Sequence, residues 1–121
     1  SSLPRYARRL INKGAKLLMI QANDGWLGNS SGPYQHFEHA RLRAIENRVT
    51  IVRAGNTGIS GVISPLGRVQ NKVPLNTQKV FITKIHLNKP GSFYSQHGDI
   101  FAAICFVSFL FIGPVLSCIR D

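Results

Sequence analysis

Apolar residues recur along this chain in two rhythms. From Ser2 to Lys13 the spacing is helical. Leu3, Ala7, Leu10 and Ile11 fall on one face, with Arg5, Arg8, Arg9 and Lys13 on the other. Pro4 suits a first turn and Gly14 a stop. Lys16 to Ala22 is a short, continuous apolar run, the pattern of a strand covered on both faces. Asn23 to Pro33 is rich in Asn, Gly and Ser and reads as loop. Helical spacing returns from Tyr34 to Asn47, with Phe37, Ala40, Ala44 and Ile45 on one face. Val49 to Ala54 is a second strand, and Gly55 to Gly58 a turn. Ile59 to Ser64 and Arg68 to Val73 form a hairpin, because Ser64-Pro65-Leu66-Gly67 has Pro and Gly where a type I turn wants them. Val80 to Leu87 is predicted as a further strand, and Asn88 to Gly98, with Pro90 and Gly91, as a linker.

This order predicts an α/β layer, with helices packed on a mixed sheet whose hairpin closes antiparallel. The end of the chain is different. Ile100 to Ile119 carries no charge. Twenty such residues at ~1.5 Å each reach ~30 Å, the thickness of a bilayer core, so a transmembrane helix is expected. Gly113 and Pro114 are tolerable there, since neighbours in lipid satisfy the freed carbonyl. A buried core helix is the alternative.

A length of 121 residues allows one small domain with a real core. The first residue is Ser, and Pro4, Arg5, Arg8 and Arg9 interrupt any apolar run that could serve as a signal peptide. A fragment or processed piece of a longer protein is the simplest expectation.

The formal charge of +10 favours nucleic acid or an anionic membrane surface. Four of the seven Phe lie in the apolar span, and no basic and aromatic stacking platform exists outside it, so no nucleic-acid partner is expected. The basic face of the first helix reads as a solvated face or as a patch for lipid phosphate. Cys105 and Cys118 both sit in the span, without metal spacing or a C-x-x-C pattern, and read as small apolar residues.

Chemistry is sought first in NDGWLG, Asn23 to Gly28. A polar loop leaving a buried strand is where α/β folds place ligands. Trp26 offers a broad apolar face and one N–H donor, suited to an acyl chain beside a polar centre. The alternative has Trp26 capping the core and Asp24 making a turn hydrogen bond. His36 and His39 share a helix face, but no third ligand or H-E-x-x-H spacing accompanies them, so no metal is expected. Arg43 and Glu46 stand at i and i+3, as a surface pair or with Glu46 buried on backbone. AGNTGISG, Ala54 to Gly61, lacks the Gly-Lys-Ser/Thr of a phosphate loop. It reads as a tight turn bringing Asn56 and Thr57 towards the same edge as Trp26, or as a plain turn. The serines have no matched His and acid pattern and both cysteines lie in the span, so no nucleophilic triad is expected within this chain. No cofactor is expected.

Arg5-Tyr6-Ala7-Arg8-Arg9-Leu10, Gly14-Ala15, NDGWLG, GPYQHFEHARLRAIENR and VRAGNTGISGVISPLGRV together resemble the C-terminal part of the apolipoprotein N-acyltransferases. These are the membrane-embedded members of the nitrilase (carbon–nitrogen hydrolase) superfamily. The likeness is collinear from Leu3 to Asp99. It implies the C-terminal portion of a nitrilase-type αββα sandwich over residues 1–98, one transmembrane helix over 99–119 and a tail at 120–121. It also implies a Glu–Lys–Cys triad that moves a fatty acyl group, as a Cys thioester, from a phospholipid to the diacylglyceryl-cysteine of an apolipoprotein. The triad is expected upstream of Ser1, with the Cys about three residues before it. No catalytic residue is therefore assigned in this chain, which is expected to be inactive alone. Trp26 matches the family's NDGW Trp, and Asn23, Tyr34 and His36 are its expected site neighbours.

The implied partners are a phospholipid acyl donor, an apolipoprotein acceptor and the lipid bilayer. The implied location is the bacterial inner membrane, with the domain on the periplasmic side. Lys84 and Lys89 before the span, against Arg120 after it, slightly favour the opposite orientation. A membrane-anchored nitrilase-type amidase is the competing reading.

Overall fold

In the computed structural model the described residues are 3–87 and 89–120, with side chains described up to 110. Ser1, Ser2, Asn88 and Asp121 lie outside them, and with them the first residue of the predicted helix (Ser2), the first of the predicted linker (Asn88) and the last of the tail (Asp121). The order is α1 (Pro4–Asn12), β1 (Leu17–Ala22), a 3-10 turn (Gly25–Leu27), α2 (Gly32–Asn47), β2 (Thr50–Gly55), β3 (Ser60–Ile63), β4 (Val69–Val73), α3 (Phe93–His97) and α4 (Ile100–Arg120).

The strands form one mixed sheet in the order β1-β2-β3-β4. β1 and β2 run parallel, with Leu18 opposite Ile51, and α2 is the crossover that this direction requires. β2, β3 and β4 then pair antiparallel, Ile51 opposite Ile63 and Ile63 opposite Val69. Leu18, Ile51 and Ile63 thus share one face. They are buried against Ala7 and Ile11 of α1 and Phe37, Ala40 and Ala44 of α2. Each large side chain fully buried there stabilises by about 1.5–3 kcal/mol.

Helix α2 has Pro33 in its first turn and ends where Arg48 turns left-handed, at φ 51°, its N–H donating to the carbonyls of Ala44 and Ile45. Its buried stripe differs from the predicted one. Positions 37, 40, 44 and 47 follow the helical period, so Asn47 is buried and Arg43 nearly so. Ile45 stands a step round the helix, 36% exposed, with its Cδ1 over Gly67. Leu3, which precedes α1 as its N-cap, is also exposed rather than packed.

Three further expectations are corrected. β1 is covered on one face only, since Met19 is 73% exposed and Gln21 and Ala54 are exposed too. Both helices that pack on the sheet lie on the other side, and an apolar run does not reveal how many layers its own chain supplies. Val80 to Leu87 is not a strand. Among the described residues the sheet ends at β4 and this run has no ladder partner, and Val80 and Ile82 are 93% and 98% exposed. The predicted linker contains a helix, α3, because Ser92 and Ser95 form a reciprocal cap. The Gly91 N–H donates to the Asn47 carbonyl (3.0 Å) and the Ser92 hydroxyl to that of Glu46, which caps the end of α2.

Helix α4 forms over the predicted span. Among the described residues no helix is long and apolar enough to cross a membrane. The described side chains of α4 stop at Leu110, and Cys118 lies outside them.

Tyr94 of α3 is half-buried. Burial, then the carboxylates of Asp99 and Glu46, push its hydroxyl above the usual 10.0. The folded state therefore holds this proton more tightly than the unfolded chain. The stabilisation is complete below pH 10.0 and is lost as pH rises through the folded value. Thermal unfolding followed from about pH 9 to about pH 11 should show a fall in stability that is shallower in Tyr94→Phe.

Candidate functional site

The parallel pair β1 and β2 ends on the same edge of the sheet, and two loops leave from there. Asn23 to Ser31 follows β1, and Asn56 to Ile59 follows β2. The Asn56 N–H donates to the Ala22 carbonyl (2.9 Å), which ties the second loop to the end of β1. Gln21, Ala22, Asn23, Ala54, Gly55 and Asn56 line an open cleft of about 510 Å³ along this edge. In an open α/β sheet the carboxyl ends of parallel strands are where ligands bind.

Beneath the loops lies a buried charge pair. Arg53 stands on the core face of β2, in line with Ile51, and its side chain is 0% exposed. A guanidinium there needs a counter-charge. Asp24, 1% exposed at the side chain, supplies it: Arg53 Nη2 donates to Asp24 Oδ2 at 2.6 Å. Arg53 Nε donates to the Ile59 carbonyl (3.1 Å) and Nη1 to that of His36 (3.3 Å). His36 Nδ1 is 2.7 Å from Asp24 Oδ1, so its proton sits on Nδ1 to donate. One arginine thereby joins the loop after β1, the loop after β2 and the first half of α2. The packing is close. A Cβ on Gly58 would stand 2.2 Å from Asp24 Oδ2, so only Gly fits.

The 3-10 turn sits on this base. The Leu27 N–H donates to the Asp24 carbonyl (3.0 Å), and the Gly25 N–H to Asn23 Oδ1 (3.3 Å). Trp26 projects outward from it, 81% exposed. It does not cap the core, and Asp24 does far more than make a turn. Asn23 lines the cleft, His36 serves the ion pair, and Tyr34 is 55% exposed on the first turn of α2. Thr57 lies against Gly25, so the second loop reaches the Trp26 turn as expected. The structure thus joins Asn23 and His36 to one loop base and leaves Trp26 and Tyr34 on its surface.

At the far end of α2, Arg43 Nη2 donates to Glu46 Oε1 at 2.6 Å, which occupies Glu46 with a cation rather than with backbone. No group of three potential metal ligands occurs among the described residues.

Residues 1–94 match the carbon-nitrogen hydrolase family model. The chain belongs to that family. Its likeness to the acyltransferases, read from NDGWLG and the segments after it, is shown by curated relatives. An apolipoprotein N-acyltransferase of Geobacter metallireducens is 41% identical over 102 residues, covering 84% of this chain and 20% of the relative. One from Bradyrhizobium diazoefficiens is 45% identical over 82 residues, covering 68% and 15%. One from Rickettsia prowazekii is 36% identical over 123 residues, covering 100% and 24%. The chain therefore spans between about a seventh and a quarter of the length of these relatives. An amidase from Nesterenkonia sp. AN1 shares the fold, with a TM-score of 0.50 at 24% identity over 61% of this chain and 30% of the amidase. The chain and that amidase share a nitrilase-like α/β fold, and the sheet of this chain is mixed.

Arg53 and Asp24 were the residues that site reasoning from sequence missed. The signal was present. In T-I-V-R-A-G the arginine shares the strand parity of Ile51, hence the core face, and a charge placed there demands a partner. The chain offers only five acidic residues.

Proposed function

We propose that this chain is the C-terminal part of an apolipoprotein N-acyltransferase and forms one wall of its acyl-transfer site. The observation that carries the reading is the Trp26 turn, fixed by the Asp24–Arg53 pair at the carboxyl edge of β1 and β2. An exposed indole held on an immobile base gives a fatty acyl chain an apolar surface beside the polar cleft of Asn23 and Asn56.

In this reading a Cys before Ser1, with a Glu and a Lys further upstream, performs the chemistry. The Cys sulfur attacks the ester carbonyl of a phospholipid while the Glu takes its proton and passes it to the departing lysophospholipid oxygen. The α-amine of a diacylglyceryl-cysteine then attacks the thioester and gives up a proton. The amide forms and the Cys thiol is restored. The role of residues 1–98 is to position the acyl chain, since Cys105 and Cys118 both belong to α4. The second sheet of an αββα sandwich covers the open face at Met19 and Ala54. Helix α4 anchors the domain in the bacterial inner membrane, with residues 1–98 on the periplasmic side.

The test replaces Trp26 in the full-length gene and reads the N-terminus of a lipoprotein by mass spectrometry in a depletion strain. Trp26→Ala should slow N-acylation by about 10²-fold, so that the diacyl form accumulates, while Trp26→Phe keeps most of the rate. An unchanged triacyl product with Trp26→Ala would remove Trp26 from the site. A native enzyme that releases free fatty acid and leaves the amine unmodified would favour the amidase reading.

A further inference from the structure

The basic face of α1 has a defined position relative to α4. Arg8 and Asn12 form one edge of α1 and dock on α3. Arg8 Nε donates to the Ser95 carbonyl (2.9 Å) and Nη2 to that of Gln96 (3.2 Å), and Asn12 Nδ2 donates to Ser95 O (3.0 Å). The Arg8 guanidinium also lies on Gly98, where an added Cβ would stand 2.2 Å from Nη1. Gly98 has φ 69° and ends α3, two residues before α4 begins at Ile100. One side of α1 is thus fastened to the foot of the apolar helix.

Helical spacing puts Arg5, Arg9 and Lys13 on the strip next to that docked edge. All three are exposed. Among the described residues none of them has an ion-pair partner: Asp24, Glu38 and Glu46 are each taken by another cation or His36, and Asp99, the one carboxylate at the foot of α4, is exposed and pairs with none of the three. No acid occurs in α1 itself. Beyond the strip, Tyr6 and Leu3 are 62% and 70% exposed. On α3, Phe93 is 68% exposed and stacks on His97 at 4.3 Å. Cations flanked by aromatic and aliphatic side chains beside the start of an apolar helix have the composition of a membrane–water interface.

We propose that Arg5, Arg9 and Lys13 form a docking surface for anionic phospholipid headgroups around the foot of α4. This rests on the membrane reading of α4 given above, but not on acyl transfer. Each cation near a charged bilayer strengthens attraction about fivefold, so the strip discriminates an anionic from a zwitterionic headgroup by on the order of a hundredfold at low salt. Screening within a Debye length removes most of that in high salt.

The test uses native mass spectrometry of the full chain released from detergent micelles containing equal phosphatidylglycerol and phosphatidylcholine. Phosphatidylglycerol adducts should exceed phosphatidylcholine adducts at least tenfold. Arg5→Gln/Arg9→Gln/Lys13→Gln should bring the two to near equality. Arg48→Gln/Arg68→Gln/Lys72→Gln removes the same charge from exposed positions elsewhere and should leave the preference intact. Melting temperatures of both variants report whether they fold, and the second variant carries the comparison if the first does not: loss of preference there assigns the effect to net charge and overturns the proposal. Equal adducts in the native chain, or a preference that survives in the folded α1 variant, overturn it as well. Absence of adducts of either lipid overturns the membrane reading of α4 together with this one, whereas loss of preference alone leaves acyl transfer standing.

Discussion

Arg53→Met should cost about 3–5 kcal/mol of folding stability. The substitution fills much of the same volume, so the loss comes from charge. Asp24 would keep a carboxylate that is 1% exposed at the side chain, with only His36 beside it. The carbonyls of Ile59 and His36 would each lose a donor as well. Denaturant unfolding of the purified protein in detergent measures the loss. Arg53→Met combined with Asp24→Asn should recover a substantial part of it, because no uncompensated charge remains and the amide can still accept from His36. Equal stability of Arg53→Met and the native chain would mean that the pair does not hold the loops.

Gly58→Ala is expected to be nearly as damaging, for a steric reason. The new methyl would stand 2.2 Å from Asp24 Oδ2 and 2.8 Å from Cγ. Overpacking alone costs about 1–3 kcal/mol. Relief requires the carboxylate to move off Arg53, which brings in part of the ion-pair loss described above. The Trp26 turn follows Asp24 directly, so the variant should lose acyl-transfer rate as well as stability. The two are read separately by unfolding and by mass spectrometry of the lipoprotein product. By contrast, Gly14 faces open space, and a Cβ there would meet nothing within 4 Å. Gly14→Ala carries only the strain of a positive φ, about 1–2 kcal/mol, and should leave Trp26 and the rate alone.

Elements whose pattern is answered within the chain were legible in its sequence. α1, β1, α2, β2 and the hairpin of β3 and β4 all follow from local period, Pro and Gly, because each finds its partner in these residues. Val80 to Leu87 has the same strand chemistry and failed, since no strand among the described residues borders it. Likewise Met19 reads as core and is open to solvent. Pattern reports what a segment is suited to cover, while coverage is a property of the assembled layers. The site divides similarly. Trp26 and Asn23 were visible because a Gly-rich loop after a strand is a local signal. The Arg53–Asp24 pair spans 29 residues, and only the strand parity of Arg53 hinted at it. Arg8 looked like one more cation on a solvated face until α3 came to rest on it.

The unpaired run from Val80 to Leu87 also governs how the chain behaves when overproduced. V-F-I-T-K-I combines β-branched and aromatic residues with one charge and no proline, and its backbone has no ladder to join. Such a segment offers a template to identical copies, which add to it strand by strand into cross-β stacks. Lys79 and Lys84 are its only gatekeepers, spaced so that four residues between them stay unguarded. Aggregation of this protein should therefore begin there, and Ile82→Lys, a third gatekeeper, is the change that would keep it in solution.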